Sequence, residues 1–83
     1  MYTVKILPSA DKELRKLDLA MQERIVMTLD RIKIRPYHFI KKYVDTPYYI
    51  LRVGDYRIIL NIENNQLIIL VIEIGHRKNV YEK

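Results

Sequence analysis

The chain opens on a short run rich in β-forming residues, Tyr2 to Leu7, and Pro8 ends it. This reads as a first strand. Ser9 is placed to cap a helix, with Asp11 and Glu13 in a first turn where the helix dipole favours anions. Ala10, Leu14, Leu17 and Met21 recur at helical spacing. Asp18 is a second candidate cap, and from there Met21, Ile25, Leu29 and Ile32 make one apolar stripe. Arg35 precedes Pro36, so the second helix stops near there.

The second half switches to a period of two. Tyr48 to Val53 predicts a strand, Gly54-Asp55 a turn, and Tyr56 to Ile62 the next strand. Glu63 to Gln66 is a polar turn in which asparagine tolerates left-handed backbone angles. Leu67 to Ile74 is almost wholly apolar and β-branched, as in a strand covered on both faces, and Gly75 breaks it. The predicted layout is β-α-α followed by a three-stranded antiparallel meander, a single α+β domain over residues 1–83. The N-terminal strand and helical hairpin pack on one face of a small, mainly antiparallel sheet. The other face stays partly open, which suits a binding site.

Composition removes several function classes. With 83 residues there is material for one core only. No apolar run reaches about 18 residues, so no membrane partner is expected. The first residues lack the basic-then-apolar layout of a signal peptide, and a cytoplasmic location is expected. The absence of cysteine excludes disulfides, thiolate zinc sites and a cysteine nucleophile. His38 and His76 do not by themselves make a metal site. Neither a metal nor a cofactor is expected.

Charge then changes the picture. The net charge is +5, and residues 1–30 contribute nothing to it. Arg31, Lys33, Arg35, Lys41, Lys42, Arg52 and Arg57 stand against Asp45 and Asp55, a local excess of five. Arg77, Lys78 and Lys83 form a second block against Glu82. Blocks that meet in space would attract phosphates or an acidic partner, whereas scattered lysines merely aid solubility.

Alternation sorts the candidate side chains. Arg52 shares a strand face with Tyr48 and Ile50, and Arg57 with Ile59 and Asn61. Tyr56, Ile58, Leu60 and Ile62 form the face that meets the helices, so Arg57 points to the open face. Arg77 and Tyr81 follow the last strand, and a chain turning back brings them over that same face. Arginines bind phosphate in a planar, bidentate way and stabilise charge on its oxygens. Tyrosine stacks on bases or assists proton transfer. An RNA substrate can supply its own 2′-hydroxyl as nucleophile, which fits a chain without cysteine. Structural readings stand beside these: Arg57 paired with Asp55, Tyr81 as a lid on the core, and terminal charges kept for solubility. His76 is either a proton carrier or a structural residue. Lys41, Lys42 and Lys78 either track a phosphate backbone or lie in solvated segments.

Two segments resemble those of a known family. Tyr49-Ile50-Leu51-Arg52-Val53-Gly54-Asp55-Tyr56-Arg57-Ile58-Ile59 and Ile74-Gly75-His76-Arg77-Lys78-Asn79-Val80-Tyr81 are similar to the "LRVGDYR" and "IGHRxxVY" motifs of RelE-type toxins of toxin–antitoxin systems. The opening, with Pro8-Ser9-Ala10 and Lys12-Glu13-Leu14-Arg15-Lys16-Leu17, is similar too. The resemblance implies a helical hairpin on a small antiparallel sheet, related in architecture to microbial ribonucleases. It implies a ribosome-dependent endoribonuclease, an mRNA interferase that cuts in the A site. The 2′-hydroxyl attacks, leaving a 2′,3′-cyclic phosphate and a 5′-hydroxyl, and translation stops. The implied partners are the ribosome and mRNA, a cognate RelB-like antitoxin, and operator DNA only as the toxin–antitoxin complex.

Carried over by position, Arg57 holds the scissile phosphate and Arg77 stabilises it or protonates the leaving group. Tyr81 stacks on or orients the substrate, and Arg52 matches an arginine of less settled role. The chain departs from the family at two strand positions where some members carry lysines with acid–base roles; these are Tyr48 and Ile50 here. His76, Arg52, Lys41 or Lys42 would then substitute, and His76 ranks first for its place beside Arg77. Two other functions compete: a ParE-like toxin that binds and inhibits DNA gyrase, and a non-catalytic basic module that binds nucleic acid.

Overall fold

The structure is a computed structural model and describes residues 1–76. The first strand, β1 (Thr3–Ile6), leads at once into α1 (Pro8–Arg15). Proline suits the first helical position, because its φ is already set and its missing N–H would have been unpaired there. The helix therefore starts before Ser9. Leu7 is the N-cap without a side-chain bond, and Ser9 lies inside the first turn.

The second helix, α2 (Leu19–Ile32), begins where expected. Asp18 caps it, accepting a hydrogen bond on Oδ1 from the Met21 N–H at 2.8 Å. The predicted stripe holds: Ala10 and Leu14 of α1, and Ile25, Leu29 and Ile32 of α2, are all buried against one sheet face. A 3₁₀ turn at Pro36–His38 follows α2.

Five strands form one sheet in the order β1-β5-β4-β3-β2. The predicted meander is its centre: β3 (Tyr49–Val53), β4 (Tyr56–Glu63) and β5 (Ile68–His76). β1 joins the far side of β5 in parallel. One strand was not foreseen. β2 (Ile40–Lys42) pairs antiparallel with β3, so Lys41 and Lys42 lie on an edge strand and not in a loop. Three residues are too few to show a period, and this strand forms because β3 offers an unpaired edge. Gly75 does not end β5 either. The strand runs on to His76, and Gly75 pairs with Arg57.

Turn chemistry fixes the register. Gly54 takes a φ of 58° at the first turn position between Val53 and Tyr56, the arrangement of a tight hairpin with glycine leading. In the β4–β5 turn the left-handed residue is Leu67, with φ 54°, and not an asparagine. Asn64 instead ties the turn to its surroundings, its Oδ1 accepting hydrogen bonds from the Tyr2 and Tyr37 hydroxyls at 2.8 and 2.9 Å.

The main core lies between the helices and the sheet, where Leu51, Val53, Ile58, Leu60, Ile69, Val71 and Ile74 meet the helix stripe. The face away from the helices has a smaller cluster of its own. Ile50 and Ile59 are buried there under Tyr43 and Tyr48. That face is therefore covered at its middle, and at its hairpin end Arg52 is exposed.

Candidate functional site

Strand register places the candidate residues in rows across the face turned away from α1 and α2, helix-free among the described residues. Arg52 of β3 stands directly opposite Arg57 of β4, which stands opposite Gly75 of β5. The next row runs Lys41, Ile50, Ile59, Glu73. A bulge then intervenes, because Ile59 pairs with Glu73 and Leu60 with Val71, leaving Ile72 extra. These two rows thus hold three cations and one carboxylate, an excess of two positive charges.

Arg57 was expected on this face, and it lies there. Its environment differs from that expectation: the residue is only 7% exposed, while Arg52 is exposed. In the next row of the same face, Ile50 and Ile59 are buried under Tyr43 and Tyr48. The hollow at the hairpin lined by Arg52, Gly54, Asp55, Tyr56 and Arg57 holds only 30 Å³, about one water. A phosphate would lie over the face and not in a pocket.

His76 sits elsewhere. It pairs with Tyr56, whose ring it meets edge-on with centroids 5.3 Å apart. Tyr56 packs against the helix-side core, so His76 and Arg57 belong to opposite faces of the sheet. His76 lines a 540 Å³ cavity with Ser9, Ala10 and Glu13 of α1. Gly75 occupies the position across from Arg57 that His76 would need.

The two lysines of β2 also separate. Lys41 pairs with Ile50 and shares its face with Arg52 and Arg57. Lys42 pairs with Tyr49 on the other face, its Nζ 4.8 Å from the centre of the Tyr49 ring. Arg77, Lys78 and Tyr81 lie outside the described residues.

The family comparison decides what this frame is. The family model for the ParE toxin of type II toxin–antitoxin systems (parDE) matches residues 4–81. The chain belongs to this toxin family, within the RelE/ParE superfamily.

No curated protein matches this toxin in sequence. Among solved structures, the RelE–RelB complex of Pyrococcus horikoshii contains a chain 27% identical to it, with a TM-score of 0.82 over 95% of this chain and 98% of that one. The RelBE2 toxin–antitoxin complex of Mycobacterium tuberculosis gives 22% identity and a TM-score of 0.81, covering 92% and 98%. The isolated RelE toxin of E. coli gives 20% and 0.81, covering 96% and 88%. The α+β fold of two helices on a five-stranded mixed sheet is that of RelE structures.

Among the described residues of the toxin, no helix is long and apolar enough to cross a membrane. Nor do three His, Asp or Glu side chains gather there as metal ligands would. Two features of the face escaped sequence reasoning. The pairing of Lys41 with Ile50 depends on β2, which had no periodic signal. The cover of Tyr43 over Ile50 and Ile59 depends on the loop after it, where the Tyr43 N–H bonds the Tyr48 carbonyl at 3.0 Å.

Proposed function

We propose that this toxin is a ribosome-dependent mRNA endonuclease of the RelE kind, acting through the helix-free face of its sheet. The observation that carries this reading is the cross-strand pair Arg52–Arg57 with Lys41 one row away. Like charges placed directly opposite destabilise a sheet, and a phosphate between two guanidinium groups turns that repulsion into binding.

In the proposed reaction the RNA lies across this face with its scissile phosphate on Arg57 and Arg52. The 2′-hydroxyl oxygen attacks phosphorus, its proton is lost to water, and the bond from phosphorus to the 5′-oxygen breaks. The products are a 2′,3′-cyclic phosphate and a 5′-hydroxyl, the 5′-oxygen having gained a proton. Charge that builds on the phosphoryl oxygens is met by the two guanidinium groups. Lys41 is the described lysine nearest the place where some RelE toxins carry theirs, since it pairs with Ile50. It is assigned the proton donated to the leaving oxygen, ahead of His76 on the other face. Arg77 and Tyr81 keep the roles the family resemblance gives them, phosphate stabilisation and base stacking.

The partner proposed is an antitoxin. Several structural relatives are complexes with RelB antitoxins. This toxin offers such a partner apolar surface: α2 exposes Val26 and Met27 beside edge strand β1, along a 350 Å³ groove floored by Val4, Ile6 and Leu29. The toxin–antitoxin complex, and not the toxin alone, is the form proposed to bind operator DNA.

Primer extension on an mRNA in a reconstituted translation reaction tests the reading, with wild type set against Arg52→Ala and Arg77→Ala. New 5′ ends at A-site codons, present only with ribosomes and lost in the variants, are expected. Gyrase inhibition is the second reading, favoured by the ParE description of the matching family. A supercoiling assay with purified gyrase separates the two: inhibition there without mRNA cuts would replace the nuclease.

A further inference from the structure

Four of the seven cations in the positive block from Arg31 to Arg57 do not share the helix-free face. From Arg31 to Val44 the chain carries Arg31, Lys33, Arg35, Lys41 and Lys42 and no carboxylate. Of these only Lys41 shares a face with Arg52 and Arg57. Lys42 stands on the opposite face, and Arg35 is the N-cap of the 3₁₀ turn that carries Tyr37.

Around them is an ordered group of aromatic rings. Tyr37 meets Tyr49 edge-on with centroids 5.4 Å apart, and Lys42 Nζ lies over the Tyr49 ring. The Tyr37 and Tyr2 hydroxyls both donate to Asn64 Oδ1, which ties the 3₁₀ turn and the N-terminus to the β4–β5 turn. Tyr37 nevertheless remains 46% exposed. A ring pinned at its hydroxyl and open on its surface has already lost the rotamer freedom that binding would otherwise cost. Tyrosines that only sealed the end of the core would need neither this exposure nor the Lys42 ammonium over the Tyr49 ring.

We infer that Tyr37, Tyr49, Arg35 and Lys42 form a second nucleic-acid contact surface, on the opposite side of the sheet from Arg52 and Arg57, that takes a single-stranded segment. A base stacks on Tyr37, and Arg35 and Lys42 meet the flanking phosphates. Stacking on aromatic rings tolerates any base, so the surface reads strandedness and charge and not sequence. The inference does not depend on cleavage at the other face.

The test is binding of a fluorescent, uncleavable 2′-O-methyl oligonucleotide of about twelve nucleotides, within the span such surfaces cover. Affinity is followed against salt for wild type, Tyr37→Ser, Tyr37→Phe and the double variant Arg35→Gln/Lys42→Gln. Each is also made in an Arg52→Ala background. The double variant is expected to bind about tenfold more weakly and to lose roughly 1.5 from the salt slope, the share of two phosphate contacts on a single strand. Tyr37→Ser should weaken binding in both backgrounds, and Tyr37→Phe, which keeps the ring but loses its pin, should weaken it less. Circular dichroism on each variant excludes unfolding as the cause. Unchanged affinity and slope in the folded double variant would overturn the inference. So would variants that keep RNA affinity but lose the antitoxin, which would make the surface a protein interface. Failure of the nuclease reading would show instead as absent cuts with these binding losses intact.

Discussion

Arg52 and Arg57 face each other across the β3–β4 ladder, one exposed and the other buried. Under the proposed nuclease reading, the exposed group moves to meet a phosphate and the buried group is held in place. Replacing the exposed member should be nearly silent in stability, within about 0.5 kcal/mol, because surface substitutions away from caps and cores usually are. Arg52→Ala should nevertheless lower cleavage, by up to about 10²-fold if it acts as a charge-stabilising donor. Thermal unfolding beside single-turnover cleavage measures both. A stable variant with full activity would remove Arg52 from the site.

Arg57 asks a different question, because truncation would also empty a packed position. Arg57→Lys keeps the charge and most of the stem but loses the planar fork. Cleavage should fall in this variant by about tenfold or more, the loss of one charge-assisted hydrogen bond, while the melting temperature stays close to wild type. Full activity in Arg57→Lys would mean that a point charge suffices there.

The two candidates for the missing strand lysines predict opposite results. Lys41→Ala should depress cleavage without loss of fold, since Lys41 is an exposed edge-strand residue. His76→Ala should leave the chemical step intact and weaken the fold by about 0.5–1.5 kcal/mol through the lost edge-on contact with Tyr56. Cleavage rates and urea midpoints on the two variants decide between them. Inactivity of a folded His76→Ala would restore the histidine to the reaction.

The face that His76 takes was not legible in the sequence, for a simple physical cause. Adjacency to Arg77 says nothing about which face a residue takes, and that depends on whether the strand continues through Gly75. It does continue, because β4 still offers partners at Arg57 and Tyr56. The helical stripe from Met21 to Ile32, the Asp18 cap and the face of Arg57 were legible, since each follows from a local period or a single capping residue. β2 was not, because its three residues are ordered by a neighbour's free edge. The cover over Ile50 and Ile59 was hidden for a similar reason: Tyr43 and Tyr48 come from the loop between β2 and β3.

The turns give a pair of predictions of opposite sign. Gly54 has φ 58°, and a Cβ there would come within 3.2 Å of both Arg24 Nη1 and Met21 Cε. Both are ends of flexible side chains, so the backbone strain dominates, and Gly54→Ala should cost about 1–2 kcal/mol. Leu67 has φ 54° and a side chain 45% exposed, so it bears that strain with little burial in return. Leu67→Gly should therefore be stabilising or neutral, by up to about 1 kcal/mol after the entropy of the added glycine is counted. Chemical denaturation with equal m-values would show both. A marked loss of stability in Leu67→Gly would mean that its side chain packs in a way its exposure conceals.

The antitoxin should be separable from the chemistry. Met27 is 64% exposed on α2, far in the fold from the helix-free face on which Arg52 and Arg57 stand. A charge placed there is tolerated by the free toxin, whereas burying it against an apolar partner costs several kcal/mol unless it is paired. Met27→Glu should therefore weaken antitoxin binding by at least about tenfold, equivalent to 1.4 kcal/mol, and leave mRNA cleavage unchanged. Bound antitoxin should raise the melting temperature of the toxin through linkage, and in this variant the rise should shrink at a given antitoxin concentration. Calorimetric titration and a cleavage assay with and without antitoxin read the two effects independently. Antitoxin affinity equal to wild type would place the interface away from the groove between β1 and α2.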